Sequence, residues 1–144
     1  MKLNGTHKFK ASSQQVFHAI LNPQVLQACI PGCKSVEYLD AQRLKANITT
    51  SLPGLKGPYA VVINIAQQQA PNFLVLQVQR QGRGGSIQAT GHINLTDEPD
   101  GALLAYNADA TLEGAVALAN NPIGQSYTKS SLTSFFKKLD ESIA

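Results

Sequence analysis

The chain has no tryptophan, two cysteines, charged side chains at only 15% of positions and no apolar run longer than four or five residues. Runs that short fall far below the ~20 residues needed to cross a bilayer. Cys29 and Cys33 stand four apart, too few for an extracellular disulfide framework. A tetrahedral metal site needs four ligands, and His7, His18 and His92 are scattered rather than gathered near the two thiols. Met1 to Lys10 alternates between polar and apolar residues instead of presenting a charged start and an apolar run. It therefore does not read as a signal peptide. The net charge of +3 is spread thinly, apart from Lys137-Lys138, without the basic cluster and interleaved aromatics of a nucleic-acid binder. The expectation is a cytoplasmic protein with no metal, no resident cofactor and no nucleic-acid partner.

What is present is the composition of one globular domain spanning 1–144, with 43% apolar residues and eleven glycines. A domain of this size buries roughly 70% of its unfolded surface, enough for a core without staples. Leu3, Gly5, His7 and Phe9 alternate with polar neighbours, which predicts a half-buried strand. Ser12 or Ser13 can cap a helix through Val16, Phe17, Ile20 and Leu21, and Asn22-Pro23 separates it from a second through Val25, Leu26 and Cys29. Pro31-Gly32 stops that helix. Period-two segments follow at Cys33 to Asp40, Arg43 to Leu52, Tyr59 to Ala66, Phe73 to Gln81, Ser86 to Leu95 and Ala102 to Leu112. Between them lie turn signals at Pro53-Gly54, Gly57-Pro58, Pro71-Asn72, Gly82 to Gly85 and Asp97 to Gly101. From Ala115 the period becomes helical, with Pro122 expected to interrupt or kink the helix near its start. This order is an α+β pattern: a strand, two short helices, six strands, and a long helix that must cover one sheet face.

Several stretches taken together resemble the carbon monoxide dehydrogenase G-subunit family of the START-like (SRPBCC) superfamily. They are Met1-Lys2-Leu3-x-Gly5, Ala28-Cys29-Ile30-Pro31-Gly32-Cys33, Gly54-Leu55-Lys56-Gly57, Leu104-x-Tyr106-x-Ala108 and Phe135-Phe136. The resemblance covers essentially the whole chain. It implies a helix-grip fold, in which a curved seven-stranded antiparallel sheet wraps around the last helix and encloses a pocket. It also implies an accessory, non-enzymatic role beside a carbon monoxide dehydrogenase-type molybdenum hydroxylase, with membrane attachment and quinone handling as associated properties. Family members tied to attachment carry a proline-rich linker and apolar tail after the helix, whereas this sequence stops at Ala144. Pocket binding is thus the expected inheritance, with membrane contact at most peripheral, at the inner face.

A cavity also has support in the residues. Ala89 and Gly91, like Gly5, occupy inward-phase strand positions where a filled core would carry bulk, and the middle of the last helix is rich in Gly, Ser and Thr from Gly124 to Ser134. Small residues on facing surfaces either leave a gap or let the two layers approach closely, and the resemblance favours the gap. The candidate lining is Leu44, Ile48, Tyr59, Val61, Ile63, Ala89, Gly91, Tyr106, Ile123 and Tyr127, with an apolar molecule such as a quinone or lipid as ligand. The three tyrosine hydroxyls would be available to its oxygens. Catalysis finds little footing. Asp97, Glu98 and Asp100 are turn residues, Asp109 and Glu113 share an outward phase, and His7 alone faces inward. No G-x-S-x-G motif occurs, and Gly82-Arg83-Gly84-Gly85 joins two strands rather than opening a helix. Both phases of Phe73 to Val78 are apolar. Leu74, Leu76 and Val78, with Val62, are therefore expected to form an outer-face patch suited to a homodimer or to a partner enzyme.

Overall fold

A computed structural model of the chain describes residues 1–49, 59–80 and 85–143. The elements run β1 (Lys2–Phe9), α1 (Ser13–Ile20), α2 (Pro23–Cys29), β2 (Cys33–Asp40), β3 (Arg43–Ile48), β4 (Tyr59–Gln69), β5 (Phe73–Arg80), β6 (Ser86–Glu98) and β7 (Gly101–Glu113), then a 3₁₀ turn (Gly114–Ala119) and α3 (Pro122–Ile143). The expected loop around Pro53-Gly54 and Gly57-Pro58, the end of the third predicted strand at Leu52, and the turn at Gly82 to Gly84 lie outside the described residues.

The local signals explain the element ends. Ser12 Oγ accepts from the Gln15 backbone N–H at 3.2 Å while Gln15 Oε1 accepts from the Ser12 N–H at 3.0 Å, a reciprocal cap that starts α1. Asn22 caps α2 through its side chain, with Pro23 in the first turn. Of the two outcomes expected at Pro122 the structure has the interruption and not the kink: the stretch before it is the 3₁₀ turn, and Pro122 opens α3, because the first turn of a helix has no partner for the N–H that proline lacks. Asn121 supports that start: its Oδ1 accepts from the Gly124 N–H at 2.8 Å and its carbonyl from Gln125. Between β6 and β7, Gly101 takes a φ of +153°, and a Cβ there would fall 1.9 Å from the Phe9 carbonyl oxygen. Only glycine fits that turn.

The seven strands form one antiparallel sheet in the order β1-β7-β6-β5-β4-β3-β2. The chain leaves β1 at one edge and re-enters the sheet as β2 at the other, so α1 and α2 span the distance between the two edges. Asp97 fastens α1 to the end of β6, accepting from the Ser13 N–H at 3.0 Å and from its hydroxyl at 2.9 Å. Those two bonds hold the Asp97 carboxyl below its usual range. Across the sheet α3 lies on the concave face. Its C-terminal half packs Phe136 and Leu139 into a core with Phe9, Val16, Phe17 and Leu104.

Pairing register decides which side chains reach that face. Leu3, Gly5, His7 and Phe9 stand opposite Ala108, Tyr106, Leu104 and Ala102. On β5, Leu74, Leu76 and Val78 stand opposite Ile93, Gly91 and Ala89, and Leu76 and Val78 also pair with Ile65 and Ile63 of β4. Leu74, Leu76 and Val78 thus point inward, against the expectation that they form an outer patch. Of that set only Val62 faces out, paired with Gln79 and Lys45. The segment is apolar in both phases, so its own period carries no facing. Its neighbours supply it, and a register shift in β4 between Ile65 and Gln67 completes the change.

Candidate ligand cavity

Between α3 and the sheet the interior is not filled. One chamber of about 350 Å³ lies beside α1 and α2, walled by Ile20, Leu21, Leu26 and Ile30 from the short helices and by Phe135 and Phe136 from α3. Leu44 and Ile63 form part of its sheet side. A second chamber of about 320 Å³ lies beneath the first turns of α3. Its sheet floor is made of small residues, Ala89, Gly91, Ala108 and Ala110, and it is flanked by Leu3, Ile87 and Val116. Both volumes fall in the ~300–1,000 Å³ range of small-molecule pockets. Leu76, Val78, Ile93, Thr128 and Leu132 border both chambers.

The void arises where volume is missing from both layers. A Cβ placed on Gly91 would come no closer than 4.0 Å to any neighbour, the Cβ of Ala108. Opposite, Gly124 is the buried residue of the first turn of α3. Gly5 is different. A Cβ there would sit 2.8 Å from the Tyr106 hydroxyl and 3.0 Å from its ring, so the aromatic side chain occupies the space that Gly5 leaves. The Ser and Thr residues of α3 also divide: Ser126, Ser130, Thr133 and Ser134 are exposed, and only Thr128 and Ser131 join Gly124 toward the cavity.

Two wall hydroxyls are already committed. Thr128 Oγ1 donates to the Gly124 carbonyl at 2.8 Å and Ser131 Oγ to the Tyr127 carbonyl at 3.0 Å. Bonded back to their own helix, they leave their methyl and methylene carbons toward the cavity. Tyr127 also borders the second chamber while remaining 45% exposed, so that chamber meets solvent along its ring.

The candidate lining residues are thus placed as follows. Leu44 and Ile63 border the first chamber, and Ala89, Gly91 and Tyr127 the second. Ile48 and Val61 are buried in the sheet core, and Tyr59 packs half-buried against it, without bordering either chamber. Tyr106 lies over Gly5 with its ring 5.5 Å from that of Phe136. Ile123 is 83% exposed at the start of α3 and stands apart from both. Burial raises the hydroxyl pKa of Tyr59 above its usual value, the nearby Tyr127 adds to the rise, and Arg80 opposes it. Arg80 itself, 8% exposed, shares the inward register of Ile87 and donates through Nη1 to the Gly85 carbonyl.

Leu76, Val78 and Ile93 are wall residues that sequence reading missed. The alternation of β6 already put Ile93 in phase with Ala89 and Gly91, and pairing with β6 would have carried Leu76 and Val78 along. The contributions of Ile20, Leu21, Leu26 and Ile30 had no local marker. His7, the one inward titratable group expected from the sequence, lies among aromatics, 4.9 Å from the Phe9 ring and 5.7 Å from that of Phe136, and borders neither chamber. Its burial lowers its pKa, with Asp140 acting in the other direction. Among the described residues no group of His, Cys, Asp and Glu could hold a metal ion, and Cys29 and Cys33 are free thiols. No helix among them is long and apolar enough to cross a membrane.

A curved antiparallel sheet closed over a long C-terminal helix, with an apolar cavity between them, defines the helix-grip, START-like class. The chain belongs to the CoxG family, that of the carbon monoxide dehydrogenase G-subunit, whose model matches residues 5–144. A conserved protein from Geobacillus kaustophilus is 29% identical, with a TM-score of 0.90 over 99% of this chain and 95% of that one. A Chromobacterium violaceum protein at 15% identity gives a TM-score of 0.77 over 99% and 96%, and a Rhodobacter sphaeroides protein at 13% gives 0.73 over 99% and 91%. No curated protein matches the sequence.

Proposed function

We propose that this protein is a non-enzymatic binder of an apolar small molecule, a lipid or quinone, held between α3 and the sheet. In this reading it serves a carbon monoxide dehydrogenase-type molybdenum hydroxylase, receiving or delivering that molecule at the inner face of the membrane. The observation that carries the reading is the pair of bordering chambers, about 350 and 320 Å³, whose walls are almost wholly apolar. Burying a greasy ligand there gains about 25 cal/mol for each Å² of apolar surface removed from water. The family membership supports the accessory role. A non-enzymatic role fits the wall chemistry, because no acidic, basic or thiol side chain borders either chamber among the described residues, and the Met1 α-ammonium at the second is engaged with the Ala110 carbonyl at 2.8 Å.

Organic extraction of protein purified from cells, followed by mass spectrometry, tests the proposal. A lipid or quinone recovered in near-stoichiometric amount is the expected result. Recovery of none, together with no binding of added quinones or lipids, overturns it.

A further inference from the structure

The two thiols stand at the ends of a wall segment. Ile30 and Pro31 border the first chamber, and Cys29 and Cys33 flank the turn that carries them. That turn is held at several points. The Cys33 N–H donates to the Ile30 carbonyl at 3.2 Å, with Gly32 at a φ of +70° between them. Gln27 Nε2 of α2 donates to the Lys34 carbonyl at 2.9 Å, so the start of β2 folds back along α2. Thr49 fixes the tip, its N–H and its hydroxyl both donating to the Gly32 carbonyl at 2.8 Å. A turn closed by an i to i+3 bond brings its ends, here Ile30 and Cys33, within about 7 Å. The Cys33 backbone therefore lies beside the last turn of α2, where Cys29 sits.

Neither sulfur is held by a strong bond. The Ser142 hydroxyl donates to the Lys138 carbonyl at 2.9 Å, so the Cys29 thiol is the donor to Ser142 Oγ, 3.5 Å away. The Cys33 thiol donates to the Ser35 carbonyl at 3.4 Å. Thiols are weak donors, and both side chains pack in the same apolar cluster. Cys29 is 1% exposed whereas Cys33 is partly open. A reagent from solvent meets Cys33 first.

We propose that Cys29 and Cys33 form a dithiol–disulfide couple, an oxidation site that takes a low-molecular-weight disulfide as its co-reactant and, on closing, fixes the Ile30-Pro31 wall of the first chamber. The Cys33 thiolate attacks one sulfur of the reagent, whose S–S bond breaks, and the departing thiolate takes up a proton. The Cys29 thiolate then attacks the Cys33 sulfur, which forms the internal bond and releases the second half of the reagent as a thiol. Two protein thiols are oxidised and one reagent disulfide is reduced to two thiols. Burial raises the Cys33 thiol above its usual value, so exchange is slow at neutral pH and quickens as pH rises. The couple thus answers to sustained oxidising conditions rather than to a brief pulse. None of this depends on which molecule occupies the chamber.

The test incubates the full chain with oxidised β-mercaptoethanol and follows intact mass, free thiols and amide exchange. Wild type should lose about 2 Da and both free thiols, with a peptide map joining Cys29 to Cys33, and dithiothreitol should restore both. Cys29→Ser should stop after the first step with a mercaptoethanol adduct on Cys33, and Cys33→Ser should react at least about tenfold more slowly than wild type. Should Cys29→Ser fail to fold by circular dichroism, Cys29→Ala carries the same expectation. Amide exchange across residues 30–34 should slow by about tenfold in the oxidised wild type. Adducts on both cysteines, disulfide-linked dimers, or two thiols that persist through prolonged treatment at alkaline pH overturn the couple. Exchange across 30–34 that is the same in both redox forms overturns the fixing of the wall.

Discussion

Gly91 and Gly5 occupy equivalent inward positions on their strands, yet the surroundings give them opposite roles. Space stands open above Gly91, whereas Tyr106 fills the space above Gly5. Gly91→Val should therefore keep the fold, with stability within about 1 kcal/mol of wild type or higher, since a β-branched residue suits a strand interior better than glycine. The same change places side-chain volume on the floor of the second chamber and should weaken ligand binding by about tenfold or more. Thermal unfolding beside ligand titration separates the two effects, and a variant that binds as wild type does would remove Gly91 from the site. His7 supports a second prediction. Its folded-state pKa lies below the ordinary 6.5 because burial disfavours the charged form. The unfolded chain thus takes up a proton more readily, and the contribution of His7 is complete above about pH 6.5 and is lost as pH falls through the lower folded value. Denaturant unfolding across this range should show stability decreasing on acidification, and His7→Phe should flatten that part of the profile.

At the scale of elements, α3 does two jobs along its length. Its C-terminal half anchors it: the Phe136 ring lies 5.5 Å from those of Tyr106 and Phe135, 5.7 Å from His7 and 6.2 Å from Phe9. Its first turns instead roof the second chamber through Gly124 and Tyr127. Phe136→Ala should cost about 3–5 kcal/mol in unfolding free energy, as large-to-small changes of a buried aromatic do. A loss below about 1 kcal/mol would mean that the helix is not held at this point. Much of this division was legible in the sequence, where Leu132, Phe135, Phe136 and Leu139 cluster toward one end. The facing of the Ser and Thr residues was not, because small polar residues occur on every side of α3 and leave no apolar stripe to phase them. The same ambiguity hid the facing of Phe73 to Val78, where both strand phases are apolar and only pairing with β4 and β6 selects the inner set.

For the molecule as a whole, an unfilled interior costs packing contacts that a ligand restores. A ligand present at 100 times its Kd should raise stability by about 2.7 kcal/mol, a rise of roughly 5–10 °C in Tm for a domain of this size. Differential scanning calorimetry of delipidated protein, before and after adding a long-chain quinone, would measure it. An unchanged Tm at saturating ligand would argue that the cavity stays empty.

The sequence by itself determined the α+β order and most of the element ends, while the helix-grip expectation came from the resemblance of its motifs to a family. The order and the ends rest on periodicity and on Pro, Gly, Ser and Asn at element boundaries, which act within a few residues of one another. Only the tertiary structure decided which small residues face open space, which are filled from across the sheet, and that the short helices complete one chamber. A void is a difference between the volume enclosed and the volume supplied by side chains far apart in the chain. Tyr106 closing the gap at Gly5 while nothing closes the one at Gly91 is that difference in its simplest form, and no local pattern carries it.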